Sequence, residues 1–296
     1  MQRANALLAL LFWLWAWPVW ASPLPVMVSV PPQKYFVGKI AGPLAEVHVM
    51  VTPGADAHTF EPKPSQMAQA AKAKLYLAQR VEFELTWLPR LVKTNPQLLV
   101  VDTLEGVELL PMAAGHEKEH GKLGTKEKHS DKETDVHTWT SPSLVKIQAG
   151  AIARALAKAD PDNRLIYEAN LKVFLSELDS LDIQIRAALT GVQTGAEFLV
   201  FHPAWAYFAR DYGLKEEAIE SGGKEPGPRK LKEIIEHAKD SRAKAVFVQP
   251  QFSRKAAQTV ADAIGAKLVE ADDLAEDWGK NILLVAKVLG DALRKS

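Results

Sequence analysis

The chain has 296 residues, with 36 basic and 36 acidic side chains, eight histidines and no cysteine. That length suits one large or two modest domains able to bury a core, and the even charge argues against a nucleic-acid binder, whose phosphate contacts need a basic surplus. The missing cysteine excludes disulfides, thiolate zinc sites, iron–sulfur ligation and a cysteine nucleophile together, so a metal site would be built from imidazole and carboxylate.

From the N-terminus, Arg3 precedes an apolar stretch that ends at Val19-Trp20-Ala21, just before Ser22. A basic start, a short apolar core and a small-x-small site predict a secretory signal peptide over residues 1–21, cleaved after Ala21. The apolar run, ~15 residues, is shorter than the ~20 a membrane span needs. No cysteine stands at the cleavage point. The expectation is a soluble mature chain outside the cytoplasm with no lipid anchor.

Apolar runs at Val26–Val30, Val47–Val51, Leu75–Leu77 and Leu98–Val101 then alternate with helical patterns. The second half repeats the scheme with Phe198–Phe201, Ala245–Val248 and Lys267–Glu270. Such alternation predicts mainly parallel sheets flanked by helices, in two α/β lobes over residues 22–159 and 191–296. Between them Asp160 can cap a helix, Pro161 suits its first position and Gly191 its end. Leu171, Phe174, Leu178, Leu181, Ile185 and Leu189 recur at steps of three and four. Residues 160–190 therefore read as one helix, ~45 Å long, joining the lobes. A coiled-coil seam is the rival, and hardly four heptads support it.

Met112–Val136 differs in kind. It holds five Lys, six Asp or Glu, three Gly and His116, His120 and His129, with almost nothing apolar, so it predicts a mobile charged loop. His116-Glu117-Lys118-Glu119-His120 matches the HExxH pattern of zinc hydrolases. That chemistry needs both histidines on a rigid helix, whereas Gly115 and Gly121 bracket the motif and its neighbours are charged. A low-affinity metal-collecting loop and a plain solvated charge run are the competing readings. Ser221-Gly222-Gly223-Lys224 fails the phosphate-loop pattern at Ala218 and Glu225 and reads as a connection.

His58 lies in the loop leaving the Val47–Val51 strand, His202 follows Phe198–Phe201 at once, and Asp272 follows the last strand. In open α/β sheets ligands bind beyond the carboxyl ends of the strands. His137 begins the ordered stretch that emerges from the charged loop. His48 sits inside a strand pattern and His237 in a helical run facing water, so both read as structural or surface residues.

These residues carry a resemblance across nearly all of the mature chain. Ser29-Val30-Pro31-Pro32 with Tyr35-Phe36, Pro53-Gly54 through His58 and Glu61-Pro62, and Asp135-Val136-His137-Thr138-Trp139 stand in the first half. Phe201-His202-Pro203-Ala204-Trp205-Ala206-Tyr207-Phe208, Gly223-Lys224-Glu225-Pro226, Pro250-Gln251-Phe252-Ser253 and Asp272-Asp273-Leu274-Ala275 follow in order. The series resembles the periplasmic metal-binding proteins of ABC importers for zinc and manganese, in their ZnuA-type zinc branch. The resemblance implies two α/β lobes tied by one long helix, with the metal in the cleft between them. It implies His58, His137 and His202 as ligands and places a fourth, an aspartate, on Asp272, with Asp273 beside it; water can take that position in the zinc branch. It further implies a monomeric periplasmic carrier that hands Zn²⁺ to a membrane permease and catalyses nothing. The manganese branch usually has glutamate where His202 stands. Imidazole suits Zn²⁺ whereas carboxylate, carbonyl and water suit Mn²⁺. The readings from outside the main one are a manganese carrier of the same family and a secreted HExxH zinc hydrolase.

Overall fold

The computed structural model describes residues 22–112, 134–220, 226–240 and 243–294. The expected leader, the loop histidines His116, His120 and His129, and the Ser221–Lys224 connection lie outside them.

The first half runs β1 (Leu24–Val28), α1 (Pro31–Ala41), β2 (Ala45–Val49), α2 (Pro64–Ala70), β3 (Leu75–Ala78), α3 (Glu82–Thr94), β4 (Leu99–Asp102) and α4 (Pro142–Ala159). After α5 (Arg164–Ala188) come β5 (Glu197–Val200), α6 (Ala206–Tyr212), β6 (Lys215–Ala218), α7 (Pro228–Asp240), β7 (Ala245–Val248), α8 (Arg254–Ile264), β8 (Lys267–Glu270) and α9 (Trp278–Leu293). Each half builds a four-stranded sheet, ordered β2-β1-β3-β4 and β6-β5-β7-β8, and every pairing is parallel. Central strands covered on both faces must be apolar throughout. Leu75–Ala78 and Ala245–Val248 are buried at every position.

One strand carries no apolar signal. β6 reads Lys-Glu-Glu-Ala, pairs with β5 at the sheet edge and stays exposed or half-buried. An edge strand tolerates charge because one side of it meets solvent. The carboxyl of Glu216 nevertheless turns inward: it accepts from Trp205 N at 2.8 Å, and burial pushes it up to about 8.

The long helix opens where its capping pattern suggests, with Asp160 at the cap and Pro161 in a first turn that is 3₁₀. Asp160 ends α4, with its N–H on Leu156 O at 2.8 Å. Its carboxylate accepts from Tyr167 Oη at 2.6 Å and Asn163 Nδ2 at 2.8 Å. Pro161–Asn163 form a 3₁₀ turn before α5, whose 25 residues span ~38 Å. Tyr167, Phe174, Leu178, Leu181 and Ile185 form its buried face.

The core does not divide at the lobe boundary. A single apolar cluster joins Val26, Leu77, Ile152 and Phe174 to Phe198, Phe247, Trp278 and Leu289. A smaller cluster around Leu199, Phe201, Val246 and Val260 covers the other face of the second sheet. Trp278, at the start of α9, packs edge-on against Phe36 of α1 with centroids 5.1 Å apart, and Phe36 lies 6.1 Å from Phe174 of α5. The two lobes thus share an apolar wall. Among the described residues no helix is long and apolar enough to cross a membrane.

Candidate metal centre

Each histidine is delivered by a short device read from its neighbours. In the loop after β2, Asp56 accepts from the His58 N–H at 2.9 Å and from Thr59 Oγ1 at 2.9 Å, a local turn that turns the ring inward. His202 stands two residues past β5. Its N–H donates to Gln249 Oε1 at 3.3 Å while Gln249 Nε2 donates back to its carbonyl at 2.8 Å. Phe252 stacks on the ring with centroids 4.7 Å apart and planes 20° apart.

His137 sits on an arm between Pro111↔Thr134, an antiparallel bridge, and the 3₁₀ turn Thr138–Thr140 that leads into α4. Gln79 Nε2 holds that arm on both sides of His137, donating to Val136 O at 3.1 Å and Thr138 Oγ1 at 2.9 Å. Gln79 is itself aimed by a left-handed turn, because Arg80 has φ +60°, a conformation non-glycine residues adopt at a cost. Buried Glu84 stabilises that turn by accepting from Gln79 N at 2.8 Å and Arg80 N at 2.9 Å, and it also accepts from Ser29 Oγ. Burial outweighs these bonds and raises the Glu84 carboxyl to about 7.

The three Nε2 atoms form a nearly equilateral triangle: His58 to His137 is 3.2 Å, His58 to His202 3.1 Å and His137 to His202 3.3 Å. Ligands of a tetrahedral Zn²⁺ at Zn–N of ~2.0–2.1 Å stand ~3.3–3.4 Å apart, so the triangle has the size such an ion requires. Every Nδ1 faces a carboxylate: Glu82 at 2.7 Å from His58, Asp135 at 2.7 Å from His137, Glu220 at 2.6 Å from His202. An Nδ1–H donating to each carboxylate leaves all three Nε2 lone pairs pointing at one spot. Three converging acceptors repel unless a cation sits between them.

His137 and His202 are buried with Asp135 and Glu220, whereas the Glu82 side chain is half exposed, so the centre opens toward solvent at His58. Burial lowers the His58 pKa, but the hydrogen bond and charge of Glu82, with Asp56 and Asp273, outweigh it and leave the ring above its ordinary 6.5. Glu82 is held correspondingly low despite its partial burial.

Asp272 is not gathered with the imidazoles. Its Oδ1 closes its own turn, accepting from Leu274 N at 3.0 Å and Gln251 Nε2 at 2.9 Å. The described residues that gather into one metal-capable group are the three histidines, without Asp272 or Asp273; Asp273 is buried, and burial raises its carboxyl to about 6 against the pull of His137 and His58. Its backbone carbonyl accepts from Trp139 Nε1 at 2.8 Å, and Trp278 Nε1 donates to Trp139 O at 2.7 Å, so the last βα loop is pinned to the His137 arm.

Sequence reasoning did not find Glu82 or Glu220 at all. Glu220 follows the unrecognised strand β6, and nothing in spacing ties Glu82 to His58. Asp135 was legible in principle, since an aspartate two residues before a histidine can close a local turn onto it. His48 lies in β2 beside Glu46, and His237 lies half-exposed on α7 with Nε2 3.8 Å from carboxylates of Glu197 and Glu217.

Two parallel-sheet lobes that bring imidazoles from both sides to one point define a bilobed metal-binding protein. The chain belongs to the family described as zinc-uptake complex component A, periplasmic, which it matches over residues 26–284. It is 29% identical over 283 residues to the high-affinity zinc uptake system protein ZnuA of Bacillus subtilis, covering 92% of this chain and 87% of that one. A crystal structure of ZnuA superposes with a TM-score of 0.82 at 40% identity, covering 91% of this chain and 99% of that one. A ZnuA internal-deletion mutant with zinc bound gives the same TM-score and identity over 93% of this chain and 99% of its own.

Proposed function

We propose that this chain is the periplasmic zinc-binding component of an ABC importer, which captures Zn²⁺ with high affinity and delivers it to a membrane permease as a carrier rather than an enzyme. His58, His137 and His202 are the proposed ligands. Asp273, rather than Asp272, is the proposed carboxylate at the fourth position, which water can share. The observation that carries this reading is the triangle of Nε2 atoms 3.1–3.3 Å apart, each backed by a carboxylate. Three imidazoles favour zinc over manganese, which prefers oxygen ligands. The leader is proposed to be removed after Ala21, and the mature chain to work as a monomer. The charged segment 112–136, with His116, His120 and His129, is proposed to collect zinc at lower affinity.

Metal analysis of protein purified without added metal tests the cargo: one zinc per chain is expected, and a preparation that takes up manganese but never zinc in stoichiometric amount overturns the reading. Deleting 113–133 should leave one tight site. Loss of all tight binding on that deletion would move the centre to the HExxH segment and favour the hydrolase.

A further inference from the structure

Two of the three imidazoles come from the first lobe and one from the second, so the metal triangle depends on how the element carrying His202 is registered against the arm carrying His137. Beyond His137, Asp211 of α6 accepts from Ser141 Oγ at 2.5 Å and Ser143 Oγ at 2.7 Å; before His137, the contact from α6 is one hydroxyl. Tyr207 lies in α6, five residues past His202, and is completely buried. Its Oη donates to Asp135 O at 2.6 Å and accepts from Leu110 N at 2.9 Å.

Those two acceptor and donor groups belong to paired strands of chain. Asp135 N donates to Leu110 O at 2.8 Å, and Pro111 and Thr134 form the bridge next to them. Asp135 then spends its carboxylate on the ligand: one oxygen takes the His137 N–H at 2.8 Å and meets Nδ1 at 2.7 Å. Gln79 grips the same arm from within the first lobe. Tyr207 grips it from the second, and burial keeps its phenol protonated by raising it to about 12, so the hydroxyl stays a donor.

We infer that Tyr207 is a positioning residue for metal binding, acting across the lobe boundary through Asp135 to set the place of the His137 imidazole. The inference rests on the proposed ligand set and extends it to a residue that touches no metal. Tyr207→Phe keeps the ring and its packing but leaves buried Asp135 O and half-buried Leu110 N without that partner.

The experiment follows zinc release from the zinc-loaded full chain into excess EDTA. Y207F is expected to release zinc on the order of tenfold faster than wild type, the scale seen when groups behind metal ligands are removed. A double-mutant cycle reads the route. Y207F combined with Asp135→Asn should release zinc no faster than D135N alone, whereas Y207F combined with Glu82→Gln should multiply the two fold-changes. Release from Y207F at the wild-type rate overturns the inference, and so does equal multiplication with D135N and E82Q, which marks a general loosening of the lobes. If Y207F does not fold, 3-fluorotyrosine at position 207 keeps ring and hydroxyl while strengthening the donor. Its release rate should differ from wild type, and no difference overturns the inference. A wild-type chain that binds no zinc overturns the ligand assignment together with the inference, whereas a binding wild type matched by an unaltered Y207F overturns the inference alone.

Discussion

His202→Ala separates what the second lobe gives to the metal from what it gives to the fold. The substitution removes the one imidazole supplied by that lobe and takes from buried Glu220 the ring its Oε1 meets at 2.6 Å. Breaking a buried charged or hydrogen-bonded pair from one side costs about 3 kcal/mol, so metal-free H202A should be less stable than metal-free wild type by that order. The affinity cost follows from zinc-site energies of about 10–16 kcal/mol in zinc-finger peptides. Spread over four ligands, that is about 3 kcal/mol for one ligand, or roughly two orders of magnitude in dissociation constant. At free zinc a thousandfold above the wild-type constant, binding stabilises the folded state by about 4.1 kcal/mol. For a constant weakened a hundredfold the gain drops to about 1.4 kcal/mol. Denaturant unfolding with and without zinc measures both quantities. Adding Glu220→Gln to H202A should restore much of the metal-free stability and none of the zinc response. A full zinc response in H202A would refute His202 as a ligand. No recovery in the double variant would refute the account of Glu220.

Asp273→Asn should weaken zinc binding about tenfold or more in a chelator competition, while Asp272→Asn, whose carboxylate closes its own turn, should change it by less than about threefold; the reverse order would return the fourth position to Asp272. Zinc affinity should begin to fall with decreasing pH already above 6.5, because the proton competing for His58 is held by Glu82 against the opposing effect of burial. Glu82→Gln should move that fall to lower pH, and an unmoved profile would refute the pairing. Glu84 supplies a separate test on the metal-free chain: its carboxyl is raised from 4.5 to about 7, so the folded state binds its proton more tightly than the unfolded chain. Stability from this group is therefore complete below about pH 4.5 and is lost as pH rises through about 7, by an amount on the order of 3 kcal/mol. Glu84→Gln should remove that slope, and unfolding curves at pH 5 and pH 8 that fall in parallel for both proteins would refute it.

Much of this architecture could be read from local pattern. The apolar runs of β3 and β7 stand out because those strands are covered on both faces, and the steps of three and four from Leu171 to Ile185 report the buried face of α5. β6 could not be read, since an edge strand of Lys-Glu-Glu-Ala has no apolar face to betray it. At the head of the long helix Asp160 and Pro161 stand where the capping pattern put them. The first turn is nevertheless 3₁₀, and the Asp160 carboxylate is taken by Tyr167 and Asn163, a choice of partners that is invisible in sequence. Within the last βα loop, two adjacent aspartates are chemically equivalent until the turn engages Asp272 through Leu274 N and leaves Asp273 buried.

What the amino-acid sequence by itself determined is the chemistry on offer and its rough address. Without cysteine, a metal centre must use imidazole and carboxylate, and alternating strands and helices put His58 and His202 just beyond the carboxyl ends of parallel strands. Only the tertiary structure decided that the rings separated by 65, 79 and 144 residues meet at one point, that Glu82, Asp135 and Glu220 stand behind them, and that one apolar core runs through both lobes. The physical reason is one of range. Periodicity and capping express interactions within a few residues, whereas the convergence of three Nε2 atoms depends on how two sheets, a shared aromatic wall and the Tyr207 hydroxyl pack against one another.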